Sequence, residues 1–309
     1  MSNPADIEAL SATVLEEAAA RSAPFRLREP AALSSGVVFS SPHSGRVYFR
    51  ELVAASRLSL HALRASEDAY VDHLFNGATD HGAPFLAAVA PRAYIDLNRA
   101  PGDLDPSLVD GAEARPANAR VVAGLGVVPR IVAEGVSIYD GKISLGEARD
   151  RVAYWHAPYH QKLMDLLLRA RRRFGRALLI DCHSMPTGAS NPGARRLHAP
   201  VDVVLGDRFG MAADGALMDV IEAAFVDAGF RVARNAPFAG GYITERYGRP
   251  AAGVSAIQIE LDRGLYLDQS FLEPTAEFGA LRVALAGVVG RICDLVRDAD
   301  PRATALAAE

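Results

Sequence analysis

Short, nearly continuous apolar runs alternate along this chain with longer segments whose apolar residues recur every three or four positions. Runs such as Val37-Val38-Phe39 and Ala177-Leu178-Leu179-Ile180 have no polar side, so strands built from them must be covered on both faces. Strands are expected at about 36–41, 83–89, 93–97, 177–182, 201–205, 230–233 and 255–261. Helical spacing is expected at about 4–22, 59–81, 146–174, 211–229 and 270–300. This alternation predicts an α/β fold of three layers, a mainly parallel mixed sheet with helices on both faces. No Pro/Gly/Ser-rich linker or internal repeat interrupts it, so residues 1–309 read as a single domain.

Half of the residues are apolar, enough for a large core without covalent staples. Cys182 and Cys293 are far apart and form no CxxC spacing, which excludes a disulfide scaffold and a thiolate metal cluster and suits a reducing compartment. The formal charge of −4 gives no basic field for nucleic acid, and the Arg169-Ala170-Arg171-Arg172-Arg173 run reads as a solvated helix end. The acidic first twenty or so residues do not resemble a secretory signal. The apolar stretch at 284–289 is too short to span a bilayer. A cytoplasmic protein with no membrane or nucleic-acid partner is expected, its oligomeric state open.

Two histidines stand where buried strands stop, in Ser41-Pro42-His43-Ser44-Gly45 and Asp181-Cys182-His183-Ser184. Ligands collect at the carboxyl ends of strands in α/β sheets, so His43 and His183 fall where a site is expected. Catalytic zinc takes three protein ligands and keeps a fourth position open. His43, His183 and one carboxylate of Glu67-Asp68 meet that count, and the set reads as a zinc hydrolase. His61, His73, His81 and His198 have no strand-end setting. His156 and His160, at i and i+4, lack the glutamate of a HExxH motif and read as a partly exposed helix face.

Asn98-Arg99 follows an apolar run. Arg99 offers a planar fork for a carboxylate or, alternatively, a structural pair to Asp96, Asp103 or Asp105. Arg130 is a second cation in the irregular stretch 100–140, which reads as a lid. Glu260 lies in a strand expected to be buried, where it either pairs with Arg263 or serves as a general base, with Asp262 as competitor. Gly240-Gly241-Tyr242 allows close backbone approach and adds a phenol.

Taken in order, Ser41-Pro42-His43-Ser44-Gly45, Asp96-Leu97-Asn98-Arg99, Gly126-Val127-Val128-Pro129-Arg130, Asp181-Cys182-His183-Ser184-Met185, Gly240-Gly241-Tyr242 and Gln258-Ile259-Glu260 resemble the N-formylglutamate amidohydrolase family over about residues 36–267. That family resembles the zinc carboxypeptidases, whose fold is phosphorylase/hydrolase-like. The resemblance implies one Zn²⁺ on His43, His183 and an intervening acid, carboxylate recognition at Arg99, and general-base duty at Glu260. The carboxypeptidase acid two residues beyond the first histidine is missing, because positions 44–46 are Ser, Gly and Arg. Asp68 is therefore preferred as the ligand, then Glu67, then Asp72. The substrate implied is a small molecule bearing carboxylates, N-formyl-L-glutamate foremost, held by Arg99 and Arg130 with Asn98, Gly240, Gly241 and Tyr242 around it. Another N-acyl amino acid or a short peptide comes next, and a carboxylate-binding protein without catalysis last.

Overall fold

The computed structural model describes residues 23–113, 118–132, 135–189 and 201–297. The helix expected at 4–22, His198 and residues 298–300 lie outside them. A 7-stranded sheet organises the chain. Its strands are β1 (Phe25–Arg28), β2 (Val37–Ser41), β3 (Phe85–Ala88), β4 (Ala177–Met185), β5 (Val203–Gly206), β6 (Val232–Arg234) and β7 (Val254–Asp262). Their order across the sheet is β1-β3-β2-β4-β7-β5-β6. The central β3, β2, β4 and β7 are mutually parallel, whereas β1 and β5 run antiparallel to β3 and β7, and β6 follows β5. This is the mixed, mainly parallel three-layer arrangement expected.

The helices that cover the sheet are α1 (Ala157–Phe174), α2 (Gly215–Asp227) and α4 (Phe278–Asp294), with the short α3 (Tyr242–Tyr247) beside the site. Strand alternation sorts side chains between two cores. Val37, Phe39, Leu178, Ile180, Ile257 and Ile259 pack with Met218, Ile221 and Phe225 of α2 and Leu285, Val288 and Ile292 of α4. Val38, Leu179 and Ala256 pack on the other face with Tyr159, Leu163, Leu166, Leu167 and Ala170 of α1, the last four spaced i, i+3, i+4, i+7. Each large buried side chain stabilises the fold by about 1.5–3 kcal/mol.

The α1 face changes character halfway along. Continuing the same alternation past Val38, Leu179 and Ala256 brings Ser40, Asp181, His183, Gln258 and Glu260 to that face. Ser40, Asp181 and Gln258 lie in register across three strands, and His183 stands opposite Glu260. The amino-terminal half of these strands is thus core, and the carboxyl-terminal half is a row of polar groups.

Two expected elements differ. Residues 93–97 form no strand: the Tyr94 and Ile95 amides donate to the Pro91 carbonyl and that of Asp96 to Val127. Their apolar pattern serves packing, since Ala93, Tyr94, Ile95 and Leu97 fill the α1-side core. The helix expected at 59–81 is broken into Leu60–Arg64, Val71–Leu74 and a 3-10 segment, Asn76–His81. The break falls where Glu67-Asp68 is delivered to the site, and Tyr70 enters the second piece at φ 61°. Among the described residues no helix is long and apolar enough to cross a membrane.

His156 and His160 do not line an exposed helix face; they are 3% and 6% exposed. His156 Nε2 donates to the Arg99 carbonyl at 2.9 Å and His160 Nε2 to that of Leu97 at 2.8 Å. Burial pushes the His160 pKa from 6.5 down to about 3 and lowers that of His156. Since the unfolded chain then binds more protons, the stability contributed by neutral His160 is complete above its unfolded pKa and is lost as pH falls towards about 3. Urea unfolding of the wild type should therefore lose up to about 1.4 kcal/mol per pH unit more than His160→Gln does below about pH 6.5. Equal slopes in the two proteins would show that the imidazole does not stay neutral.

Candidate metal centre

His43 is placed by the turn that ends β2. Gly45 has no room for a side chain, because a Cβ would collide with the Ala90 carbonyl oxygen, and this close approach pins the loop. The Asp68 amide donates to the His43 carbonyl at 3.0 Å, which draws the second segment to the first. His183 comes from within β4. The two imidazoles face one another with ring centroids 4.7 Å apart.

Each ring is held from behind by an aspartate. His43 Nε2 lies 2.7 Å from Asp96 Oδ1, and His183 Nε2 lies 2.9 Å from Asp181 Oδ2. An ionised carboxylate only accepts, so each Nε2 carries a proton, which leaves Nδ1 as the atom turned inward to take a metal ion or a second proton. Both Nδ1 atoms point at the same oxygen, Asp68 Oδ2, at 3.4 Å for His43 and 2.9 Å for His183. Asp68 Oδ1 takes a hydrogen bond from Arg263 Nη2 at 2.9 Å. Nδ1 of His43 is buried with no hydrogen-bond partner among the described residues. Two lone pairs and a carboxylate oxygen converging in a buried space repel unless a proton or a cation sits between them. Their ligand atoms all lie within 4.8 Å of one another, so the three residues fit a single metal ion.

The electrostatics point the same way. Burial opposes ionisation of Asp68, but the hydrogen bond from His183 and the nearness of His43 overcome it and hold the carboxyl well below the usual range. Burial likewise opposes the charge on Asp96, which the Arg92, Arg99 and His43 charges hold well below the ordinary carboxylate value. For His183, burial disfavours the cation, yet the Asp181 charge and the hydrogen bonds to Asp181 and Asp68 raise the ring well above 6.5. Glu67 is engaged elsewhere, by Tyr48 Oη at 2.7 Å and Arg64 Nε at 3.0 Å, and Asp72 is engaged by Arg46. Of the three acids considered, Asp68 alone joins the histidines.

A cavity of about 570 Å³ opens over this trio, and Glu260, Asn98, Arg99, Gly240 and Gly241 line it. Glu260 Oε1 accepts from Gln258 Nε2 at 2.8 Å, and Gln258 Oε1 accepts from the Gly241 amide at 2.8 Å. Burial, with the charge of Asp68 adding to it against that of His183, pushes the Glu260 carboxyl up to about 7. Asp262 turns instead to Thr187 and the Gly264 amide.

Two residues expected on the substrate side lie away from the cavity. Arg130 does not line the cavity, because Asp105 Oδ2 takes its Nε at 2.8 Å. Arg120, on the short helix Ala119–Val122, lines it instead. Tyr242 also stays outside, its ring set against those of His156 and His160. Asn98 lines the cavity and is also bonded within the protein: Oδ1 accepts from the Ile243 amide at 2.7 Å, while Nδ2 lies 3.4 Å from Asp181 Oδ2 and 3.2 Å from His183 Nε2. It braces the site, and Gly241 is required there because a Cβ would meet Asn98 Nδ2 at 2.5 Å.

The supporting aspartates were missed as such from sequence. Asp181 carried a signal, since a residue two before His183 on a strand shares its face. Asp96 carried none, because its segment read as a strand. If the aspartates orient the rings, Asp181→Asn should weaken divalent-metal binding by about 10- to 100-fold in a chelator competition. Asp72→Asn, which touches neither histidine, should leave it unchanged; equal losses in the two variants would separate the aspartates from the metal.

Known proteins resemble this chain along most of its length. Residues 35–267 match the family model described as N-formylglutamate amidohydrolase. The N-formylglutamate deformylase of Pseudomonas aeruginosa is 32% identical over 236 residues, which cover 75% of this chain and 82% of that protein. The Pseudomonas putida deformylase is 31% identical over 238 residues, covering 76% and 82%. A crystal structure of N-formylglutamate amidohydrolase from Ralstonia eutropha JMP134 superposes with a TM-score of 0.83 at 33% identity, covering 89% of this chain and 98% of that one.

Proposed function

The chain belongs to the N-formylglutamate amidohydrolase family, and we propose on that footing that it hydrolyses the amide bond of N-formyl-L-glutamate to formate and L-glutamate with the help of one zinc ion. The observation that carries this reading is the placement of Glu260. It stands in register with His183 on the neighbouring strand, lines the cavity over the His43-Asp68-His183 trio, and has no cationic hydrogen-bond partner among the described residues.

Two imidazole nitrogens and one carboxylate oxygen are the donor set of a catalytic zinc site. When bound, such an ion supplies Lewis acidity, polarising a carbonyl and lowering the pKa of water from about 15.7 towards about 7. The protein's own groups do the rest. Gln258 holds Glu260 Oε1, which leaves Oε2 to take the proton of the attacking water. The water oxygen adds to the formyl carbon, the carbon–nitrogen bond breaks, and Glu260 returns the proton to the departing amine. A carboxyl raised by burial to about 7 suits both transfers, because it gives and takes a proton with little bias near neutrality.

Four arginines line the cavity, and two of them are tied to aspartates of the centre, Arg92 to Asp96 and Arg263 to Asp68. Arg99 is fixed by the carbonyls of Leu125 and Asn98. Burial lowers the pKa of Arg99 against the opposing charge of Asp96, and the charges of Arg92 and Arg120 add to the lowering. Two guanidiniums close enough to disfavour one another suit a substrate with two carboxylates. We assign one carboxylate to Arg99 and the other to Arg120.

Stripping the metal with a chelator should abolish deformylation of N-formylglutamate, and Glu260→Gln should retain the metal while kcat falls by about two to four orders of magnitude. Loss of the metal in that variant would make Glu260 a ligand instead of a base. Arg120→Gln should narrow the preference for N-formylglutamate over N-formylnorvaline, which lacks the second carboxylate, by about tenfold in kcat/KM. An unchanged ratio would remove Arg120 from substrate recognition.

A further inference from the structure

Asp96, Asn98 and Arg99 each reach the site, yet the segment that carries them is neither helix nor strand. Asp96 supports His43, Asn98 donates to Asp181 behind His183 and holds the turn before α3, and Arg99 lines the cavity. An irregular segment has no ladder to fix its carbonyls, and here side chains of one helix do so. His160 Nε2 donates to the Leu97 carbonyl and His156 Nε2 to the Arg99 carbonyl, from positions one helical turn apart. Their rings lie 4.1 Å apart, and His156 closes the π-helical turn Val152–His156 that precedes α1. Tyr247 of α3 stacks on His160 at 11° between planes, its hydroxyl 2.9 Å from Nδ1. Three parts of the chain therefore meet at this pair.

We propose that His156 and His160 are positioning residues that clamp the Asp96–Arg99 backbone, and so set the placement of the His43 support, the Asn98 brace and the substrate-facing guanidinium. A carbonyl only accepts, so both rings must keep a proton on Nε2. Burial keeps them neutral, with His160 held to about 3, and two cations at this separation would repel. The two bonds serve different parts of the reaction. Leu97 lies between Asp96 and Asn98, so loss of the His160 bond disturbs the groups around the metal and falls on kcat. Arg99 is the carbonyl partner of His156, so loss of that bond falls on substrate binding and KM.

This division rests on the hydrolysis proposed above, and the test keeps the two apart. Glutamine can place its amide nitrogen near the position of Nε2, whereas asparagine, of the same polarity, falls short. His160→Asn should lower kcat on N-formylglutamate by about 10- to 100-fold with KM little changed, and His156→Asn should raise KM by about tenfold. The corresponding Gln variants should recover to within about threefold of the wild type. Asn and Gln variants that behave alike, or that move kcat, KM and Tm together, would reduce the pair to general packing. A wild-type protein inactive on N-formylglutamate would overturn the substrate assignment alone. The clamp is then read from imidazole nitrogen NMR of the wild type: slowly exchanging Nε2 protons on both rings at about pH 5 support it, and rings titrating near 6.5 overturn it.

Discussion

The site depends on how one oxygen, Oδ2 of Asp68, is shared. It is buried between two imidazoles that are themselves backed by buried aspartates, so several negative groups lie together away from water. An unpaired buried charge costs several kcal/mol, which makes compensation by nearby cations a condition of folding. Arg92 and Arg263 supply part of it at Asp96 and Asp68, and a divalent ion held by Asp68 and the two histidines would supply the rest. The same neighbourhood pushes its carboxyls apart. Asp68 and Asp96 are held ionised by hydrogen bonds and cationic charge, whereas Glu260, with a neutral amide on one oxygen, rises to about 7. Carboxyls separated in this way take different chemical parts, one kind binding and the other exchanging protons. Proton and metal also compete for the same atoms, so metal affinity depends on pH.

The sheet produces this arrangement with little special machinery. Period-two alternation places Asp181 and His183 on one side of β4, and Gln258 and Glu260 on the same side of β7. The register between the two strands then determines which groups meet. Tyr159 of α1 joins the row through Ser40, whose hydroxyl lies 2.8 Å from the phenol and donates to Asp181 Oδ1 at 3.2 Å. The helix that seals the α1-side core is thus also the floor of the site. His156, three residues before Tyr159, and His160, directly after it, extend the role to the backbone of the Asp96–Arg99 segment.

What could be read from the sequence is what strands and their ends encode. The apolar runs gave the sheet, and His43, His183 and Glu260 were recognisable because each ends or interrupts such a run. Asp68 was harder to choose. Only the folded turn shows that Glu67 faces Tyr48 and Arg64 and that Asp72 faces Arg46. The sequence points to Arg130 in its irregular stretch, and nothing local marks Arg120; the bond of Arg130 to Asp105, made across the fold, separates the two. Tyr242 was drawn in by its glycine neighbours, yet its helix turns the ring towards His160. The histidine pair was misjudged for a related reason. Helical spacing reports which residues share a face, and carries no information on an irregular segment that comes to lie on it. These failures share a cause: bonds made across the fold by segments without periodicity leave no periodic trace.

The two imidazoles reach the centre with unequal security. His183 stands inside a strand whose ladder with β7 runs past it on both sides, whereas His43 stands in a turn held where Gly45 passes against the Ala90 carbonyl. A side chain at position 45 would therefore displace one half of the pair and leave the other in its ladder.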